Sequence, residues 1–215
     1  KETEFLDEVP GLGRAVCAWI DLPFDDGKEE RKDASRRRRV EVERVAKEIA
    51  RLMLVLPLKM SVGVITFYAA QRDAIYDALA KHSITERTQL GWGVSQAFAS
   101  NEECPERLRI GTVDSFQGKE FDIVLLSTVR SNRNKIPTLP NENDPEEIER
   151  FEKEASGKFG HLRSANRLNV AMSRQRRFLL AIGDAEMYRG ASAMQAVPEM
   201  SAFLELCESE AIRVA

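Results

Sequence analysis

Five short stretches of nearly unbroken apolar residues constrain this chain more than anything else in it: Arg14–Ile20, Ser61–Phe67, Leu108–Thr112, Asp122–Val129 and Arg177–Ile182. A strand with one face in water alternates apolar and polar residues. A continuous run is buried on both faces, which describes a parallel sheet covered by helices on each side. Helical stripes lie between the runs. Val42, Val45, Ala46, Ile49, Leu52 and Met53 recur at steps of three and four; Ala74, Ile75, Ala78 and Leu79 do the same, as do Met200, Phe203, Leu204 and Cys207. Strands alternating with helices predict an open α/β sheet.

At 215 residues the chain is long enough for one large domain or two small ones. Its 43% hydrophobic and 31% charged residues are those of an ordinary globular protein. No apolar run approaches the roughly 20 residues of a membrane span. Cys17, Cys104 and Cys207 show no C-x-x-C pairing. With only two histidines, His82 and His161, they are poor material for a metal site; Cys17 in an apolar strand pattern and Cys207 on an apolar helix stripe are expected as buried thiols, and the odd, unpatterned count suggests an intracellular setting. A net charge of −3 excludes a surface coated in positive potential, but a local basic groove is compatible with it. The opening residues, KETEFLDEVPG, have neither an initiator Met nor a signal-peptide layout, so a fragment of a longer protein is expected.

Two segments read as surface additions. Asp25–Arg39 is almost wholly charged and ends in Arg36 to Arg39, read as a solvated helix start or, less favoured, a nucleic-acid contact. Residues 133–158, with an acidic, helical-looking run from Glu146 to Glu154, read as a surface insertion forming a mobile loop or short helix.

Ligands of open α/β sheets gather beyond the carboxyl ends of the strands. Polar clusters follow three of the predicted strands: Thr66 and Tyr68, then Thr112 to Glu120, then Ser127, Thr128 and Arg130. We expect them along one edge, forming a single surface. In the central cluster Gly118 permits a tight turn and close approach of a ligand. Gln117 and Glu120 can hydrogen-bond a sugar or a phosphate-bound water. Equally open at this level is a structural role, with Asp114 capping a helical turn and Gln117 completing the capping box. Arg163, Arg167 and Arg174 would align on a continuing helix as a solvated row. Arg174, however, sits in a short connection between two buried elements. A guanidinium held there suits charge developing on a transferring phosphoryl group. No G-x-x-x-x-G-K-[ST] or G-x-G-x-x-G is present, so the chain lacks a phosphate-cradling loop and is not expected to hydrolyse a nucleotide alone.

VDSFQGKEFDIVLLSTVRSN resembles motif V of superfamily 1B helicases of the nonsense-mediated-decay type. RLNVAMSR resembles their motif VI, and GVITFYAAQRDAI is similar to their motif IV region. The resemblance spans Ala15 to Asp184. It implies the second, C-terminal RecA-like domain: a three-layer P-loop-NTPase-type sandwich without its own P-loop. It further implies that Arg174 is an arginine finger, that Gln117, Gly118, Lys119 and Glu120 face ATP, and that Thr66, Tyr68, Thr112, Ser115 and Arg130 touch a single strand of DNA or RNA. ATP with Mg2+ would be bound jointly with a first RecA-like domain that this chain lacks. Phe67 stands where motif IV has proline, and Ser173 where motif VI has threonine. The alternative is a regulatory or nucleic-acid-binding module that keeps the fold without a working motor.

Overall fold

The computed structural model describes residues 15–135 and 139–209. The five apolar runs become one sheet of five parallel strands: β1 (Cys17–Asp21), β4 (Val62–Thr66), β7 (Leu108–Thr112), β8 (Phe121–Ser127) and β9 (Gln175–Gly183). Their order is β1-β9-β8-β4-β7, with Val124 opposite Leu179 and Val64 opposite Leu125. The expected first strand began at Arg14, which lies outside the described residues.

Alternate residues on each strand go to opposite faces, and both faces are apolar. On β8, Phe121, Val124 and Leu126 join one cluster, while Ile123 and Leu125 join the other. Helices α1 (Arg39–Val55) and α2 (Ala69–Ala80) cover the second face through Val45, Ile49, Leu52, Ile75 and Leu79. The first face is covered by α4 (Pro145–Phe159), α5 (Ala165–Met172) and α7 (Pro198–Ser209), contributing Phe151, Phe159, Leu168, Met200 and Leu204. This is the expected three-layer α/β sandwich. Shorter elements complete it: the antiparallel hairpins β2 (Glu30–Lys32) with β3 (Ser35–Arg37) and β5 (Thr85–Thr88) with β6 (Gly91–Val94), and the helices α3 (Gln96–Ala99) and α6 (Ala191–Ala196). All three cysteines are buried thiols.

Both presumed surface additions are built differently from the expectation. The charged stretch before α1 folds into the β2–β3 hairpin, and Arg38 at its end has no exposed surface at all. Its guanidinium donates to the carbonyls of Leu22 (2.7 Å), Pro23 (2.8 Å) and Gly27 (2.7 Å) and pairs with Glu41 at 3.3 Å. A run of arginines reads as solvated because isolated charges cannot be buried; a ring of acceptors removes that objection. Glu41, also fully buried, accepts from Ser127 Oγ (2.7 Å) and Val129 N (2.9 Å). Burial pushes its carboxyl up to about 7 against the opposing pull of Arg38. The acidic run, in turn, takes the helical of its two readings, but longer than expected. It holds the 15-residue α4, capped by Asp144, whose carboxylate accepts from Glu146 N and Glu147 N. Its apolar side reaches the core.

Candidate functional site

The polar clusters do not share one edge of the sheet. Between β7 and β8 the chain makes a 3-10 turn, Val113–Phe116, and then a bend that ends at the amino end of β8. In eight residues it has crossed from the carboxyl edge to the amino edge. Those edges are separated by the seven residues of β8, roughly 20 Å at ~3.3 Å per residue. Buried Val113 and Phe116 pull the crossing segment onto the sheet, and Phe116 packs edge-on against Phe121 with centroids 5.4 Å apart. Gly63 on β4 makes room, since a Cβ there would meet Phe116 at 2.9 Å. The long apolar runs in sequence could not reveal this path, because they say nothing about where a short connection returns.

At the amino edge the bend Gln117–Glu120 meets the start of β9. Phe121 N donates to Arg174 O at 2.8 Å, tying the two strands' entries together. The half-exposed Arg174 guanidinium donates to Val170 O (3.1 Å), Ser173 Oγ (2.7 Å) and Lys119 O (3.5 Å). Arg174 and the bend are therefore neighbours. Gly118 adopts φ +75° and is exposed, with no atom within 4 Å of where a Cβ would stand, so a ligand can approach its backbone. Gln117 is exposed as well. Lys119 reaches Glu106 at 2.6 Å, and Arg109 holds the same carboxylate. Burial works to raise the Glu106 pKa, but these two cations outweigh it and hold it below the usual carboxylate range. Glu120 lies 3.5 Å from Arg176 Nε. Asp122 fixes the base of this site by accepting from Ser61 N and Ser61 Oγ, each at 2.9 Å. A hollow of about 420 Å³ opens beside it, lined by Lys59, Ser61, Glu106, Lys119, Glu120 and Arg176 among others.

The carboxyl edge carries a larger groove, about 890 Å³, lined by Tyr68, Arg72, Trp92, Thr112, His161 and Arg167 among others. Thr112, partly exposed, thus stands where a bound strand could meet it, whereas Tyr68 walls the groove from the core, 5% exposed and with its hydroxyl accepting from Arg130 and His161 N. Thr66 and Arg130 do not meet such a strand. Thr66 has no exposed surface, because it closes the end of the interior strand β4, flanked by β8 and β7. Arg130 is 2% exposed, with Nε 3.0 Å from Glu29 Oε2 and its other nitrogens directed to Gly157 O and Tyr68 Oη. Its charge is already matched, so it cannot serve an external phosphate. Ser115 is exposed but outside the groove lining, and its hydroxyl donates to Thr112 O at 2.7 Å. Ser127 and Thr128 are buried too.

Asp114 caps nothing. Thr112 occupies the cap position without a side-chain bond, and Asp114 instead lies 3.4 Å from Arg167. The helix expected to align three arginines ends at Met172, leaving Arg163 on a separate 3-10 turn with Glu152 and Arg174 beyond the helix. His161, beside Arg167 and Arg130, is held below the usual imidazole range, by burial first and these cations second. Sequence reasoning missed Glu106 and Arg176 at one edge, and Arg72, Arg87 and Trp92 at the other. Arg176 alone left a signal: it follows Arg174 by two, the strand period that returns a side chain to the same face.

Residues 7–186 match the family model described as AAA domain. The chain is 40% identical over 80 residues, 37% of its length, to the DNA polymerase alpha-associated DNA helicase A of Saccharomyces cerevisiae. It is 31% identical over 57% of its length to the helicase required for RNAi-mediated heterochromatin assembly 1 of Schizosaccharomyces pombe. With the regulator of nonsense transcripts 1 homolog of Arabidopsis thaliana it shares 25% identity over 69% of its length. The matched stretches cover only 8%, 8% and 9% of those three proteins. With this family match over a parallel five-stranded α/β sandwich that carries motifs IV, V and VI in order, the chain belongs to the AAA domain family as a C-terminal domain of the superfamily 1 helicase type.

Proposed function

We propose that this domain is the second motor half of an ATP-dependent DNA or RNA helicase or translocase. The observation that carries the reading is the placement of Arg174. A guanidinium oriented by Val170 O and Ser173 Oγ lies against the Gly118–Glu120 bend at the amino edge of the sheet. That edge offers what a polyphosphate needs, namely two arginines, an approachable bend and the Gln117 amide. It offers no metal cage, since no group of three or more His, Cys, Asp or Glu among the described residues could hold an ion. The phosphate loop and the Mg2+ ligands therefore belong, in this reading, to a first RecA-like domain facing it. Mg2+ there neutralises phosphate charge when bound. Arg174 supplies positive charge to the transferring phosphoryl group only when the two domains close, which makes hydrolysis depend on closure. Glu120 contacts the nucleotide, released from Arg176 as it does so. Thr112 contacts single-stranded nucleic acid at the opposite edge, in the groove that Tyr68 walls, through the strand's backbone and hence with little sequence preference.

In the full-length protein Arg174→Ala is expected to lower nucleic-acid-stimulated ATP hydrolysis by roughly 10³–10⁵ while ATP affinity changes little. Steady-state turnover and binding of a fluorescent ATP analogue measure the two. Unchanged turnover removes the role of Arg174. A wild-type protein that binds nucleic acid but never hydrolyses ATP supports the non-catalytic module instead.

A further inference from the structure

The groove at the carboxyl edge has two walls that motifs IV to VI do not supply, the β2–β3 hairpin and the β5–β6 hairpin, the second of which carries Arg87 and Trp92. Thr85 Oγ1 donates to Tyr76 O at 2.6 Å, fastening the hairpin to α2, and Tyr76 Oη donates to Ile110 O at 3.0 Å. Against this fixed ring lies the indole of Trp92, tilted by only 11° with centroids 6.2 Å apart. The Arg87 guanidinium covers Trp92 at 4.7 Å. Four arginines line the groove: Arg37, Arg72, Arg87 and Arg167. Three are matched by carboxylates, Arg37 by Glu30, Arg72 by Asp73 and Arg167 by Asp114. Arg87 is exposed and has no carboxylate partner among the described residues.

We propose that Arg87, backed by the Trp92–Tyr76 stack, is a binding site for a backbone phosphate of single-stranded nucleic acid. The proposal rests on reading the carboxyl edge as the strand-binding surface. Stacking occupies the flat side of a guanidinium and leaves its N–H edge open, so the indole orients the group without consuming its hydrogen bonds. An exposed arginine loses rotamer freedom when it binds, and one already laid on a ring loses less. Aromatic rings interleaved with cations are the usual lining of a single-strand path. The groove also contains Asp33 and Asp77, so its field is not uniformly positive. Recognition at Arg87 is accordingly a point contact, worth about one phosphate charge.

The test is fluorescence anisotropy of labelled 20-nucleotide oligo-dT and oligo-rU with the full-length protein across a NaCl series. Arg87→Ala is expected to weaken both by about fivefold at low salt and to flatten the log–log salt slope by about 0.7, one phosphate of a single strand. Arg87→Lys should keep the slope but lose affinity, because the charge survives and the flat fit does not. Trp92→Ala should weaken binding with the slope intact. Wild-type affinity and slope in Arg87→Ala overturn the proposal, as does a variant that loses thermal stability while binding normally. If the wild-type protein binds neither oligonucleotide, the strand-binding reading falls and this contact falls with it.

Discussion

Arg130 carries a full charge into a place with almost no water, and the neighbours that receive it explain why it is there. Glu29 faces it at 3.0 Å and also accepts from Ser131 N at 2.8 Å and Arg36 at 2.7 Å. Removing one partner of a buried pair leaves the other uncompensated, at a cost of about 3–5 kcal/mol. Because Glu29 keeps Arg36, Arg130→Ala is expected to cost near the low end, about 3 kcal/mol in urea unfolding. The salt dependence of oligonucleotide binding should stay as in wild type, whereas a phosphate-binding Arg130 would lower it. Glu41 makes a second residue-level prediction. Its carboxyl is raised from 4.5 to about 7 by burial, so the folded protein keeps a proton that the unfolded chain releases between those values. Stability is then greatest at low pH in this window, falls as pH rises from about 4.5 to about 7, and levels off above, a total of roughly 3 kcal/mol. Glu41→Gln, which cannot titrate, should flatten that part of the curve. A wild-type profile that rises through the window would show that the donors from Arg38, Ser127 and Val129 outweigh burial.

The main strands and helices were legible because each repeats an apolar period over several residues: β8 with seven buried residues, α1 with its stripe from Val42 to Met53. The helical run of α4 was legible, but its core-facing side was hidden by the other one. Glu146, Glu147, Glu149, Glu152 and Glu154 dominate the stretch, yet Phe151, Ala155 and Phe159 are spaced by four and are all buried. The contact between Arg174 and the 118–120 bend was reached through motif resemblance and not through periodicity, which carries no information across 55 residues of separation. Which edge each loop reaches was illegible, since Phe116 under Gly63 is a tertiary fit. Treating α4 as part of the core has a measurable consequence. Phe159→Ala should cost about 3–5 kcal/mol in chemical denaturation, the range for emptying a fully buried aromatic site. Asp144→Ala should cost about 1 kcal/mol through loss of the N-cap. If α4 were a dispensable insertion, both variants would unfold like wild type.

At the scale of the molecule, two segments run side by side from one edge of the sheet to the other. The Val113–Glu120 connection begins in the groove and ends at the amino edge, and α5 travels with it. Their groove ends meet through Asp114 and Arg167 at 3.4 Å, and their far ends through Lys119 O and Arg174 at 3.5 Å. A strand that draws on Arg167 therefore pulls on the same helix whose continuation carries the proposed finger. The Arg167–Asp114 pair is partly solvent-exposed and contributes little to stability. In the proposed function the pair links the strand site to the nucleotide site, and coupling between sites is typically worth a 5- to 150-fold change in affinity or, by extension, in stimulation. Arg167→Ala in the full-length protein is thus expected to leave ATP hydrolysis without nucleic acid within about twofold of wild type, and to cut its stimulation by oligonucleotide by about tenfold. Measuring that stimulation at saturating oligonucleotide separates lost coupling from lost binding. Should basal and stimulated rates fall together, Arg167 would be serving the amino-edge chemistry directly, and the two edges would not communicate through this pair.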